Sequence, residues 1–429
     1  MIRRGLLFSI LVLAVLLTFS CGQQQDVGSL TKKLEELTEK VNDLSSKVDE
    51  LTEKVNAISK EEMKVAEKPA KKLKAGFVYV GPVGDYGWSH AHDVGRKFAE
   101  SQLPWFESVF IESVAESDSS RIIDRFVQDE KVDVVFTTSF GYMDDTIKAG
   151  QKYPDKKFMH CSGFKQLPNV GTYFADLYQT YYLNGLMAGA LTKTDKIGYV
   201  GAFPIPEVIR HINAFALGIK AVNPKAEVHV KWIYAWYGPD KAREAAEALI
   251  AEGCDNLAFT EDTPAVIEVG QEHTEKGRQI YTYSHYSPMQ QYGKDSVVSG
   301  QLVDWGVMYV KILQDMYNGT WKNHDEWWLI AEKAVILGGS FDDTINPKFE
   351  GDLKMKMFET ADFGKISAYD LVVKRYEQMQ KGTEAFDPFT GPINDNTGKL
   401  QIKEGQRASK GDLLSIMYYV DGVVGSIPK

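Results

Sequence analysis

The feature that most constrains this chain is the stretch at residues 75–97, AGFVYVGPVGDYGWSHAHDVGRK. Its first six residues are apolar, with aromatic and β-branched side chains, and read as a buried strand. Gly81, Pro82 and Gly84 break that strand at once. From Trp88 the pattern turns helical, with Ala91, Val94, Phe98 and Ala99 on one face. A strand, a glycine-rich turn and a helix open an α/β domain, and in such sheets ligands sit outside the carboxyl ends of the strands. That end carries Asp85, Tyr86 and Trp88. A tight turn with a packed Trp accounts for the same residues without any ligand.

The alternation continues. An amphipathic helix at 119–129 leads into a strand at 132–138, followed by the loop Ser139, Phe140, Gly141. Another strand is expected at 157–161, and a helix at 176–191 in which Gly185 and Gly189 allow close packing. The strand pattern restarts at 197–200, with a helix at 207–221 and strands at 228–235, 257–260 and 280–283. Repeated βα units imply parallel sheets. The chain has 429 residues, beyond the roughly 250–300 at which one core stops growing. Two series of units predict two Rossmann-like lobes, 75–190 and 191–300. Residues 301–429 are expected to return the chain to the first lobe through a helix at 305–317, and to end in a turn-rich segment with short strands from Asp387.

The amino-terminal part has a different character. Residues 1–20 place two arginines before an apolar run of signal-peptide length, too short for a comfortable membrane span. Cys21 follows directly. This resembles a bacterial lipobox, whose cysteine is lipidated, although Thr18 and Phe19 depart from it and only Ser20 fits. Residues 21–29 read as a flexible anchored segment. Across residues 30–60, Leu34, Val41, Val48 and Val55 fall at heptad position a, and Leu30, Leu37, Leu44, Leu51 and Ile58 at d. That is about four unbroken heptads, the pattern of a coiled coil. Branched a with Leu at d favours a parallel dimer, while the lack of charged g–e′ pairs leaves a trimer open. LTEKVNDLSSKVDELTEKVNAI also resembles the repeat of the trimeric murein lipoprotein. A lone amphipathic helix is the simpler alternative. Residues 61–74, rich in Lys, Glu and Ala, read as a solvated linker.

Little in the chain points to catalysis. The acidic pairs Asp144, Asp145 and Glu261, Asp262 are adjacent in sequence, so their carboxylates point apart. No nucleophile elbow, zinc helix or P-loop occurs. His90 and His92, two apart on a helix, do not share an ion. Cys21, Cys161 and Cys254 form no disulfide framework. A net charge of −10 argues against nucleic acid or an anionic membrane surface as partner. No enzyme, metal or cofactor is implied. The aromatic residues at expected strand ends are the stronger signal: Trp88, Phe140, Phe203 and Trp236, with Trp305 at the expected crossover and Asp262 after 257–260. Stacking faces and a few polar groups in a cleft suit a flat heterocycle.

GFVYVGPVGDYGWSHAHDVGRK, IGYVGAFPIPEVIRHINAFALGIKAVNP, AEALIAEGCDNLAF and GPINDNTGKLQIKEGQ resemble the basic membrane protein family, the lipid-anchored substrate-binding components of ABC importers. The resemblance runs from Ala75 to Lys429. It implies a type I periplasmic-binding fold, a purine base or nucleoside ligand, and an ABC permease with its ATPase as partners. It also implies an extracytoplasmic place in the cell envelope, held to a membrane by lipid on Cys21. The GPVGDYGW form is most similar to a subgroup associated with free bases. The resemblance assigns Trp88 to one stacking face, His211 or Trp236 to the other, and Asp262 to the edge of the base, with Asp85 beside Trp88. A binding protein for another flat heterocycle such as riboflavin, and an envelope structural lipoprotein acting through its coiled coil, are the rival readings.

Overall fold

The computed structural model describes residues 27–65 and 72–428. They form two compact units, divided after Lys71. Cys21 and the segment before it lie outside the described residues.

The described part of the first unit is one helix, α1 (Val27–Val65). It runs past residue 60 because Lys60, Glu61, Glu62, Met63 and Lys64 are good helix formers, so the composition that reads as a solvated linker also extends a helix. Leu37, Val41, Leu44, Val48 and Leu51 are exposed along it.

The second unit opens with β1 (Leu73–Val78), the glycine-rich turn and α2 (Trp88–Gln102). The strand starts two residues earlier than the sequence pattern suggests, within the stretch read as linker. Then follow β2 (Phe106–Ile111), α3 (Ser119–Gln128), β3 (Val134–Thr137), α4 (Met143–Lys152), β4 (Lys157–Cys161) and β5 (Val170–Ala175). The chain crosses through α5 (Tyr178–Leu191) to a second series: β6 (Lys196–Gly201), α6 (Pro206–Val222), β7 (Glu227–Trp232), α7 (Pro239–Ala251), β8 (Asn256–Thr260), α8 (Ala265–Glu275), β9 (Tyr281–Tyr286) and β10 (Val297–Val303). Next come α9 (Trp305–Asn318), β11 (Asp325–Trp328) and β12 (Val335–Leu337). After α10 (Pro347–Met355), a hairpin of β13 (Met357–Thr360) and β14 (Gly364–Ser367) and helix α11 (Ala368–Met379), the chain ends in β15 (Ile393–Asn394), β16 (Leu400–Ile402), α12 (Lys410–Leu414) and β17 (Val423–Val424).

One sheet has the order β11-β5-β4-β3-β1-β2 and is parallel throughout. The other has the order β12-β10-β9-β8-β6-β7-β17, antiparallel only at β12. The expected return to the first lobe is real but brief. Helix α9 and β11 rejoin the first sheet side, whereas β12 and β17 pair in the second, so residues 301–429 are not a tail of lobe one. An extended edge strand finds its partner by register, and nothing local in VIL or VV says which sheet offers one.

Helix α5 is buried along its whole length and packs on α6. A Cβ on Gly185 would stand 2.2 Å from the Phe215 carbonyl, and one on Gly218 would meet the Tyr182 carbonyl. The two helices therefore touch backbone to backbone, as the small residues of α5 predict. Each large side chain buried in this layer contributes about 1.5–3 kcal/mol.

Candidate functional site

The carboxyl ends of both sheets face one cleft. From the first lobe come Val80 and Trp88 after β1, Thr138, Ser139 and Phe140 after β3, and Ser162 after β4. From the second come Glu207 in the first turn of α6, Trp236 after β7, Asp262 after β8 and Tyr286 at the end of β9. About 280 Å³ of empty space lies among them, the mouth included. A second hollow of about 410 Å³ adjoins it across Phe140, Ser162 and Glu207 and continues to Phe164, Trp327 and Arg210.

Trp88 is fixed from two sides. Its indole Nε1 donates to the Thr138 carbonyl, and its ring packs edge-on against Trp305 at 5.4 Å and Tyr286 at 5.0 Å. Asp85 holds the turn beneath it, its carboxylate accepting the backbone N–H groups of Gly87, Ser89 and His90. That caps the amino end of α2. Burial pushes the Asp85 carboxyl up to about 6 despite these three donors.

Asp262 is 1% exposed, and neither carboxylate oxygen has a hydrogen-bond partner. The Trp88 backbone N–H lies nearby, outside hydrogen-bonding geometry. Burial raises the Asp262 carboxyl well above the usual range, and the neighbouring Asp85 and Glu261 raise it further. A buried carboxylate without donors is costly; a ligand bringing N–H or O–H groups would relieve that cost. Glu207 is pushed up to about 7, again by burial first, with Arg210 opposing. The Tyr286 hydroxyl donates to it at 3.2 Å. Among the described residues lining the cleft none is cationic, so the site suits a neutral donor-bearing molecule and not a phosphate.

The lobes meet at this place. A Cβ on Gly87 would stand 2.5 Å from the Asp262 Cα, and the Ser287 hydroxyl donates to the Gly87 carbonyl at 3.3 Å. Tyr286 and Ser162, at strand ends on opposite sides, adopt φ of 60° and 59°. Non-glycine residues rarely take that conformation, and it concentrates at ligand clamps.

Trp88, Phe140, Trp236 and Asp262 thus come together as the sequence predicts. Asp85, Phe203, Trp305 and His211 do not line the cleft. The first three support residues that do. Asp85 caps the turn, Phe203 packs 5.2 Å from Trp236, and the fully buried Trp305 stacks on His92 at 4.1 Å behind Trp88. His211 is displaced by helix geometry. It lies one turn beyond Glu207 on the same face of α6, so Glu207 reaches the cleft and His211 the core. There it stacks on Tyr181 and approaches Asp176 at 3.3 Å, while Asp176 is paired with Arg210 at 2.8 Å. Glu207 and Tyr286 also line the cleft, and the sequence reading misses them.

Two α/β lobes closing their strand ends on one aromatic, acidic cleft define a solute-binding protein. Residues 72–366 match the family described as ABC transporter substrate-binding protein, PnrA-like (Bmp), and the chain belongs to that family. It is 35% identical to a purine-binding protein of Brucella abortus (strain 2308), over 84% of this chain and 95% of that one. It is 40% identical to a Haloferax volcanii protein provisionally named as the glucose-binding protein of an ABC transporter, over 62% of this chain and 66% of that one. Among solved structures, a solute-binding protein of an ABC transporter system from Aeropyrum pernix K1 superposes with a TM-score of 0.62 at 14% identity, covering 75% of this chain and 93% of that one. That likeness is one of fold.

Proposed function

We propose that the chain captures a purine base in the interlobe cleft and delivers it to an ABC permease driven by a separate ATPase. It works outside the cytoplasm, in the cell envelope, held to a membrane by lipid on Cys21. The observation that carries the ligand is Asp262, a buried carboxylate with no donor in an aromatic cleft. Trp88 offers one stacking face, Trp236 from the other lobe closes the second, and Asp262 accepts N–H groups at the edge of the ring. The name of the Brucella relative supports the reading. Closure follows from contacts made to both lobes only when shut. The hollow toward Trp327 leaves room for a nucleoside.

Titration calorimetry with adenine, guanine, hypoxanthine, their nucleosides, riboflavin and glucose tests it. A purine is expected to bind, and Trp88→Ala to weaken it about tenfold to a hundredfold, since base–aromatic stacking is worth roughly 1–3 kcal/mol. Asp262→Asn is expected to cost about as much and to change the preference between adenine and guanine, whose edges carry different donors. Binding of glucose or riboflavin with no purine binding overturns the ligand. Undiminished purine binding by both folded variants overturns the site.

A further inference from the structure

Helix α1 presents an apolar stripe to solvent. Leu37, Val41, Leu44, Val48 and Leu51 are 44–61% exposed, at spacings of four and three that keep them on one seam. The sequence continues the seam to Leu30 on one side and Ile58 on the other. A 39-residue helix, about 58 Å long, does not keep such a seam wet without cost. We propose that α1 packs, in parallel, against α1 of further copies of this chain.

The charges on the flanks give both the occupant and its direction. Position g is Lys33, Lys40, Lys47 and Lys54, and position e is Thr31, Thr38, Ser45 and Thr52. A partner of another kind with acidic flanks has no unmet demand to satisfy at Lys47 and Lys54, because Asp43 and Glu50 of the same helix already hold them at 2.7 Å. In a parallel pair each g residue faces an e residue of the neighbour, lysine against a small hydroxyl, which is neutral. In an antiparallel pair g faces g, and a row of lysines meets a row of lysines. Self-association is therefore permitted in one direction and opposed in the other. Parallel packing brings the carboxyl ends of the helices together, and each copy continues from that end into its binding unit. Several clefts then share one stalk, which raises their effective concentration at a shared transporter. This reading is independent of the ligand.

Disulfide trapping in the full mature chain, made without lipid through Cys21→Ser, tests the direction. Cys161 and Cys254 are buried and do not interfere. Leu37→Cys is expected to cross-link to itself on mild oxidation, severalfold more than Glu39→Cys on the outer face. In an antiparallel pair near the middle of the seam, where a packs on d, position 37 would meet position 48, about 17 Å away along the helix. Leu44→Asp is expected to give a monomer by sedimentation whose binding unit still melts as in the parent. The proposal fails if the parent sediments as a monomer at micromolar concentration. It also fails if only a mixture of Leu37→Cys and Val48→Cys chains cross-links, or if Glu39→Cys cross-links as well as Leu37→Cys.

Discussion

Glu207 shows how one side chain ties the cleft to stability. Its folded carboxyl sits at about 7 against 4.5 in an open chain, because burial outweighs Arg210. The folded state therefore holds a proton that the unfolded chain has released. Its stabilising contribution is complete below about pH 4.5 and is lost as pH rises through about 7. The raised Asp262 carboxyl acts in the same direction. His92, His160, His211 and His285, all lowered by burial, act in the opposite sense below their open-chain value of 6.5, so the difference in slope between the parent and a Glu207 variant, and not the parent's slope itself, isolates Glu207. Between pH 6 and 8 the ligand-free protein should lose about 1 kcal/mol through Glu207 alone. Glu207→Gln keeps an acceptor for Tyr286 and removes the titration, so its stability should fall less over that range. Denaturant melts at pH 6, 7 and 8 check this, and equal slopes in parent and variant would exclude Glu207 as the source. In the sequence this residue was hidden. A Glu after Pro in the first turn of a helix is an ordinary solvated position, and what the local sequence does not show is that the end of β9 in the same lobe brings Tyr286 onto it.

The elements were legible where local pattern and burial agree. The βα units around β1, β3, β4, β6, β7 and β8 announce themselves by short apolar runs, and the cleft residues that follow β1, β3, β7 and β8, namely Trp88, Phe140, Trp236 and Asp262, could be placed at strand ends. Before residue 190, two strands escaped. FESVFI of β2 lies at a sheet edge with a half-exposed face, and VGTYFA of β5 follows Pro168 and Asn169 and contains Gly171, so turn signals mask it. The β1–α2 turn holds a further consequence. Gly87 is required by the other lobe, since its absent Cβ is the space into which the Asp262 backbone comes. Gly87→Ala should leave both sheets intact and keep the lobes from meeting as they do here. A loss of affinity of about tenfold or more is expected, with little change in the melt of the ligand-free protein. Calorimetry and small-angle scattering with ligand read the two effects. Tight binding with full closure in the variant would show that the lobes do not need this contact.

At the scale of the whole molecule, the order of parts along the chain is itself an argument. An arginine-led apolar run, Cys21, a long helix and a two-lobed binding unit succeed one another. Strand β1 takes its first ladder bond at Leu73, whose N–H donates to the Trp105 carbonyl at 3.0 Å, inside the second unit. Attachment and binding then occupy separate stretches and should be separable by one atom. Lipid on a cysteine thiol anchors through buried methylenes, at about 0.8 kcal/mol each, and Cys21→Ala removes the thiol proposed to carry it. The variant, expressed in a bacterial host, should incorporate no labelled fatty acid and should leave the detergent phase for the aqueous one. Its affinity for the purine should match that of the parent, because Trp88 and Asp262 belong to the other unit. Retained label would place the anchor elsewhere. Loss of label together with loss of binding would mean that the two parts of the chain are coupled, although they are separate stretches of the sequence.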